Sequence, residues 1–227
     1  MRFVLFDVDG TLLLTGGAGT RALKSALEKT YALPNGISGV RPEGKTDPQI
    51  VREVLQRYGG ENRFTKENLS FLFPIYLSFL REELTASRNF LVLPGARELV
   101  CTLSRKLDFL LGLATGNLEK GAQMKLERAG LSSFFLFGGY GSDAENRTDL
   151  IRVAIERGHE RIAPAHPEGV FIVGDTPRDI VHGKEARAHT VAVASGSYSL
   201  DALKAYKPDL AVASLDPIEP IVEFLES

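Results

Sequence analysis

Phe3-Val4-Leu5-Phe6-Asp7-Val8-Asp9-Gly10-Thr11 is the stretch that decides the fold. Its first four residues form an apolar run typical of a buried strand, and Gly10 indicates the turn that ends it. Two carboxylates follow the run, and such groups are costly at the end of a buried strand unless they are paired, bind a metal or line a cleft. Because open parallel sheets place ligand sites at the carboxyl ends of their strands, Asp7 and Asp9 are predicted to be site residues.

Length and composition are those of an ordinary globular protein. The chain has 227 residues, 44% hydrophobic and 25% charged, which fits one large domain or a core with a small accessory domain. The formal net charge of −2 provides no basic surface, so no nucleic-acid partner is expected. The most apolar window, residues 69–84, contains Pro74 and is too short to span a bilayer, so no membrane partner is expected.

Two further features bear on the compartment and the oligomeric state. Cys101 is the only cysteine, so no intrachain disulfide can form, which suits a reducing compartment. Met1-Arg2 leads directly into the first strand, which leaves no room for a signal peptide. We therefore expect a cytoplasmic protein. A monomer and a homodimer both stay open, because the apolar segment 69–84 suits either an internal core or a subunit interface.

From about residue 86 onward, apolar runs alternate with helical patterns. Predicted strands cover 109–114, 134–137, 169–173, 190–194 and 210–213, and predicted helices cover 119–129, 149–157, 179–188 and 219–225. Asp149 is predicted as the N-cap of its helix, with Gly158 just beyond the helix end. This alternation predicts an α/β fold with a parallel sheet that is covered by helices on both faces.

Residues 15–85 break that alternation. Their patterns predict helices over 18–31, 48–58 and 66–84, with no convincing strand between them. We therefore predict a small all-helical domain, residues 15–85, inserted into a core formed by residues 1–14 and 86–227. Phe90-Leu91-Val92-Leu93 followed by Pro94-Gly95 marks the return to the core.

Four polar segments follow predicted strands, and their chemistry fits a single reaction. They are Asp7 and Asp9, Thr115-Gly116-Asn117, Arg147, and the run from Gly174-Asp175 to Asp179. The Asp7 carboxylate suits attack on phosphorus, and Asp9 suits protonation of the leaving oxygen. Thr115 and the N–H groups after it suit a phosphate cradle, to which Arg147 adds a forked cation. Asp175 with Asp7 suits a hard cation, most simply Mg²⁺.

These residues resemble the motifs of the haloacid dehalogenase superfamily, in its phosphoglycolate phosphatase-like branch with a helical cap. The resemblance covers the whole chain and implies a Rossmann-like core, Mg²⁺ and an aspartyl-phosphate intermediate. It implies that Asp7 is nucleophile and metal ligand, that Asp9 is acid/base and metal ligand through its backbone carbonyl, and that Asp175 binds metal. It further implies phosphate binding by the 115–117 segment, with Gly174 and Asp179 as supporting residues.

One position departs from the family pattern, and several have simpler structural interpretations. The family's third motif usually supplies a lysine, where this chain has Arg147, so a solvated surface arginine is the competing interpretation. Asp175 is also a candidate helix N-cap, a role compatible with metal binding. In the insertion two interpretations stay open: Asp47 caps the next helix, or Arg41 or Lys45 faces the cleft and contacts the substrate.

The leading hypothesis is therefore Mg²⁺-dependent hydrolysis of a small phosphomonoester, with a small phosphorylated metabolite as substrate. A phosphosugar mutase would use the same core. A phosphonoacetaldehyde hydrolase would use a cap lysine such as Lys45 as a Schiff base, but related enzymes lack the second acid that Asp9 provides. Dehalogenation is disfavoured for the same reason, and a non-enzymatic binding module would not need this set of acids.

Overall fold

The computed structural model describes residues 1–227 and has an α/β architecture. Its strands are β1 (Arg2–Phe6), β2 (Leu13–Leu14), β3 (Leu91–Val92), β4 (Phe109–Thr115), β5 (Phe137–Tyr140), β6 (Gly169–Gly174), β7 (His189–Val193) and β8 (Leu210–Val212). Its helices are α1 (Ala18–Tyr31), α2 (Asp47–Arg57), α3 (Lys66–Ala86), α4 (Ala96–Ser104), α5 (Glu119–Ala129), α6 (Arg147–Ile162), α7 (Pro177–Glu185), α8 (Leu200–Lys204) and α9 (Glu219–Glu226). None of these helices combines the length and the apolar character needed to cross a membrane.

The central sheet has six parallel strands in the order β5-β4-β1-β6-β7-β8. Its register aligns Phe6 at the end of β1 with Leu113 in β4 and Val173 in β6. The segments that follow these three strands therefore emerge together at one edge. Hydrophobic clusters cover both faces of the sheet, which confirms the predicted Rossmann-like core.

Helices α1, α2 and α3 form the helical insertion, defined here as residues 18–86, between β2 and β3. The two short strands pair antiparallel, with Leu13 opposite Val92, and so bring both ends of the insertion to the same place. The insertion has its own hydrophobic cluster, to which the apolar segment of α3 contributes Leu72, Tyr76 and Leu80. The buried face of this segment thus packs inside the insertion.

Helix α6 differs from its prediction at both ends. Asn146, and not Asp149, is its N-cap, because the Asn146 side chain accepts hydrogen bonds from the backbone N–H groups of Thr148 and Asp149 at 2.8 and 3.4 Å. The helix also continues through Gly158. A Cβ at this position would lie 2.7 Å from the Phe3 ring, so the glycine lets α6 pack closely on the sheet and does not end the helix.

At two other helices the N-cap is the residue next to the candidate aspartate. Thr46, and not Asp47, caps α2 in a capping box with Gln49, and this leaves the Asp47 carboxylate available for other contacts. Thr176, and not Asp175, precedes α7 as its N-cap. The Thr46 hydroxyl accepts the Gln49 N–H at 3.2 Å, whereas at α7 the Asp179 carboxylate accepts the Thr176 N–H at 3.0 Å.

Two element boundaries were also predicted wrongly. Residues 132–134 form a short 3₁₀ turn, so the strand predicted over 134–137 begins only at Phe137. Helix α7 ends at Glu185 and does not reach residue 188, because Arg187 adopts a left-handed φ of 62° and the Ala188 N–H bonds back to Gly183.

Candidate active site

Three buried carboxylates meet at the edge of the sheet. Asp7 follows β1, Asp175 follows β6 and Asp179 lies in the first turn of α7. Each offers one oxygen within 4.8 Å of the others. Gly174 makes this approach possible, since a Cβ there would lie 2.1 Å from the Asp179 carboxyl carbon. We call these three side chains the acid cluster.

Arg147 supplies the positive charge of the acid cluster. It is the first residue of α6 and only 2% exposed, which excludes a solvated surface arginine. Its Nη2 lies 3.2 Å from Asp7 Oδ2 and also donates to Asp179. Its Nη1 donates to the Gly44 carbonyl of the helical insertion at 3.3 Å, while its buried Nε has no partner. The guanidinium therefore joins Asp7, α7 and the insertion.

Both oxygens of Asp179 are already engaged. Oδ1 accepts from Arg147, and Oδ2 accepts from the Thr176 backbone N–H and hydroxyl at 3.0 and 2.7 Å. Asp175 accepts one hydrogen bond, from the Thr11 hydroxyl at 3.0 Å. The acid cluster thus has free carboxylate oxygens on Asp7 and Asp175, with Asp179 orienting the arginine.

The acid cluster carries more negative charge than its arginine balances. Burial, followed by the neighbouring Asp179 and Asp9 charges, raises the pKa of Asp7 to about 6, even though Arg147 lowers it. Burial and the Asp7 charge also raise the pKa of Asp175 well above its usual range. Oxygen donors with this excess charge fit a hard divalent cation such as Mg²⁺. The backbone at Gly10 also lies close to Asp175, since a Cβ there would be 2.3 Å from Asp175 Oδ2.

The Asp9 side chain lies outside the acid cluster. Its Oδ2 accepts from Asn117 Nδ2 at 2.7 Å and from Lys125 Nζ at 2.6 Å. The carboxylate is 41% exposed and lines a cavity between the sheet edge and the helical insertion. Asp7 and Asp9, two residues apart in sequence, therefore belong to separate hydrogen-bonded groups.

Lys125 is a site residue that the sequence interpretation missed. It lies in α5, is 3% exposed, and donates to Asn117 Oδ1 at 2.5 Å as well as to Asp9. The available signal was its position, three residues after Ala122 and four after Gly121, on the buried face of the helix. A lysine there is rarely buried without a charged partner.

The predicted phosphate loop, Thr115-Gly116-Asn117, closes β4 beside Asp9. The Thr115 hydroxyl accepts from Asn117 Nδ2 at 2.8 Å, so the Asn117 amide connects Thr115 with Asp9. At Gly116 the helical insertion comes very close, because a Cβ there would lie 2.2 Å from the Lys45 carbonyl oxygen. A glycine is therefore required where the insertion crosses the loop.

Asp47 is the main contact between the insertion and this loop, and it too was missed as a site residue. Its N–H donates to the Gly116 carbonyl at 2.8 Å, and its Oδ2 accepts from the Leu118 N–H at 2.8 Å. Burial raises the pKa of Asp47 to about 6, against the opposing effects of Lys125 and the Leu118 N–H. The insertion therefore contacts the same loop that holds Asp9.

A second contact between the helical insertion and the core lies farther from the cavity. Arg52 of α2 donates to both oxygens of Glu145 at 2.6 and 2.8 Å, and the Thr46 hydroxyl donates to the Glu145 carbonyl at 2.9 Å.

The two predicted specificity residues differ in position. Lys45 lines the cavity and pairs with Glu53, whereas Arg41 is exposed and outside the cavity lining.

One cavity of about 500 Å³ connects these groups. It is lined by Asp7, Asp175 and Arg147, and also by Asp9 and Lys125. The insertion covers it with residues that include Lys45, Asp47 and Tyr76. A cavity of this size can accommodate a small molecule between the sheet edge and the insertion.

The chain is similar to known proteins along nearly its whole length. The family model described as Haloacid dehalogenase-like hydrolase matches residues 4–193. Pyrophosphatase PpaX of Oceanobacillus iheyensis is 24% identical over 98% of this chain and 97% of its own length. The solved structure of β-phosphoglucomutase (pgmB) from Clostridium difficile has a TM-score of 0.72 at 19% identity and covers 99% of this chain and 96% of that one. A structure described as a predicted phosphoglycolate phosphatase from Haemophilus somnus 129pt has a TM-score of 0.66 at 19% identity, covering 97% of both chains.

Proposed function

Because the chain belongs to the haloacid dehalogenase-like hydrolase family, we propose that this phosphate-ester hydrolase cleaves a small phosphomonoester in an Mg²⁺-dependent reaction through an aspartyl-phosphate on Asp7. The observation that carries the proposal is the separation of the two acids of the first motif. Asp7 lies in the acid cluster, while Asp9 faces the cavity from a different hydrogen-bonded group. This separation suits one acid for attack and the other for proton transfer.

In the first step, an Asp7 carboxylate oxygen attacks phosphorus and the bond from phosphorus to the leaving oxygen breaks. For this step Asp9 enters in its acid form, protonated on the oxygen that Asn117 and Lys125 leave free, and gives that proton to the leaving oxygen, so the product leaves as an alcohol. In the second step, Asp9 takes a proton from water, and the water oxygen attacks phosphorus. The bond to Asp7 then breaks, which releases inorganic phosphate and restores the carboxylate.

The remaining residues bind and orient the phosphoryl group. Thr115 and the N–H groups of its loop accommodate the phosphate oxygens, and Arg147 stabilises the charge beside Asp7. Asp7 and Asp175, together with the Asp9 carbonyl, would hold Mg²⁺. When bound there, Mg²⁺ neutralises charge between an anionic nucleophile and an anionic phosphate. The helical insertion, as a cap, covers the cavity and limits the access of bulk water to it.

The test is phosphate release from a panel of phosphorylated metabolites with Mg²⁺, using the wild type and Asp7→Asn. The substitution keeps the size of the side chain but removes the nucleophile, so we expect turnover to fall by at least ~10³-fold. Asp201→Asn, at an exposed position in α8, is the matched control and should behave like the wild type. If a folded Asp7→Asn enzyme turns over at the wild-type rate, Asp7 is not the nucleophile.

The same panel separates the remaining alternatives. Pyrophosphate belongs in it, because the PpaX relatives are described as pyrophosphatases. A mutase would convert a phosphosugar to its isomer with little phosphate release. With phosphonoacetaldehyde, a borohydride-trapped adduct on Lys45 would indicate the C–P cleaving reaction.

A further inference from the structure

We propose that Lys125 is a positioning residue, which holds the Asp9 carboxylate on the leaving-group side of the cavity. The proposal rests on the proposed function, since it concerns the proton donor of that reaction. Lys125 itself contacts Asp9 and Asn117, and its ammonium group therefore acts through Asp9.

The geometry is a closed set of three hydrogen bonds. Lys125 Nζ donates to Asp9 Oδ2 at 2.6 Å and to Asn117 Oδ1 at 2.5 Å, and Asn117 Nδ2 donates to the same Asp9 oxygen at 2.7 Å. Asn117 Nδ2 also donates to the Thr115 hydroxyl at 2.8 Å. Because α5 holds the lysine and β4 leads into the loop, two separate elements fix one oxygen of Asp9.

The charges around Asp9 explain why it needs a cation beside it. Asp9 lies near the acid cluster on one side and near Asp47 on the other, and both repel a carboxylate. Lys125 is the cation paired with Asp9, and its own burial requires such a partner. Without the ammonium, we expect Asp9 to leave its position and turn its carboxylate toward solvent, to which it is already 41% exposed.

This role has a signature that depends on the leaving group. An alkoxide leaves poorly unless Asp9 protonates it, whereas p-nitrophenolate leaves without a proton. Loss of the positioning contact should therefore slow hydrolysis of alkyl phosphates much more than hydrolysis of p-nitrophenyl phosphate. General loss of structure would slow both substrates alike.

The experiment compares Lys125→Met, Lys125→Arg and the control Lys120→Met, an exposed lysine of the same helix. For Lys125→Met we expect kcat on an alkyl phosphate to fall ~10²-fold, and kcat on p-nitrophenyl phosphate to fall less than about fivefold. KM should change little on either substrate. Lys125→Arg should recover part of the loss because it keeps a cation, and Lys120→Met should match the wild type. An equal loss on both substrates by a folded Lys125→Met enzyme would overturn the proposal.

A crystal structure of Lys125→Met provides a second test that needs no turnover. We expect the Asp9 carboxylate to have left Asn117, while Asp7, Asp175 and Arg147 stay in place. An Asp9 side chain that keeps its wild-type position refutes the positioning role, even if the phosphatase proposal stands. Conversely, if the wild type releases no phosphate from any substrate, the phosphatase proposal fails and this structure still decides whether Lys125 positions Asp9.

Discussion

The two acids of the first motif have opposite charge environments, although one residue separates them. Asp7 shares a single arginine with two more buried carboxylates, whereas Asp9 shares a lysine with a neutral amide. The first group has an excess of negative charge and the second is balanced. A divalent cation therefore complements the acid cluster, while the Asp9 side chain needs none. The two acids of one short motif thus lie in two different charge environments.

The largest expected effect comes from removing the only cation of the acid cluster. Arg147→Met leaves buried Asp7 and Asp179 without their ion-pair partner, so we expect a loss of about 3–5 kcal/mol in the free energy of unfolding and a loss of phosphatase turnover. Urea unfolding in EDTA measures the stability. Arg152→Met, exposed on the same helix, should stay within about 0.5 kcal/mol of the wild type. Similar stabilities for the two variants would show that the acid cluster does not depend on Arg147.

Metal binding should distinguish the two acid groups directly. If Mg²⁺ binds the acid cluster, saturating Mg²⁺ should stabilise the wild type by about 2–3 kcal/mol at a hundredfold excess over Kd. Asp175→Asn should lose this stabilisation, and Asp9→Asn should keep most of it because its side chain lies outside the cluster. Thermal unfolding with and without Mg²⁺ measures the effect. If both variants lose the Mg²⁺ stabilisation equally, the Asp9 side chain is not separate from the metal site.

The pH dependence of the free energy of unfolding should reveal the raised pKa of Asp47, the buried carboxylate of the insertion. The pKa of Asp47 is raised to about 6 by burial, above its value of 3.8 in the unfolded chain. The folded state therefore holds this proton more tightly, so the contribution of Asp47 to stability falls as pH rises from about 4 to 6. Asp47→Asn removes that loss.

Urea unfolding of the wild type and Asp47→Asn at pH 4, 5, 6 and 7 in EDTA measures this difference. Relative to the wild type, Asp47→Asn should become steadily more stable through that window and then level off. A stability difference that does not change with pH would mean that Asp47 keeps its ordinary pKa in the folded protein.

The smallest effect is expected at the outer contact. Arg52→Ala removes a partly exposed ion pair with Glu145, which should cost less than about 1 kcal/mol. The Asp47 contacts with the loop stay in place, so turnover should change little. A loss of turnover as large as that expected for Lys125→Met would show that the outer pair, and not Asp47, holds the insertion on the loop.

Much of the fold was predictable because it depends on short-range patterns. The predicted bounds of α1 and α5 match the structure, since amphipathic spacing and a glycine after α5 are local signals. Helix α6 was predicted too short because Gly158 suggested a helix end. Gly158 instead lets α6 pack against Phe3, and no local sequence pattern connects these two residues.

The candidate site likewise has a part that local sequence patterns predict and a part that they do not. The sequence by itself determined which residues follow the central strands, because buried strands have recognisable apolar runs and the ends of parallel strands share one edge. Asp7, Asp175 and Arg147 were therefore predicted, and the structure brings them together. Only the tertiary structure decided that Lys125 pairs with Asp9 and that Asp47 reaches the loop after β4. Each contact joins segments far apart in the chain, and its geometry depends on how α5 and the helical insertion pack on the sheet.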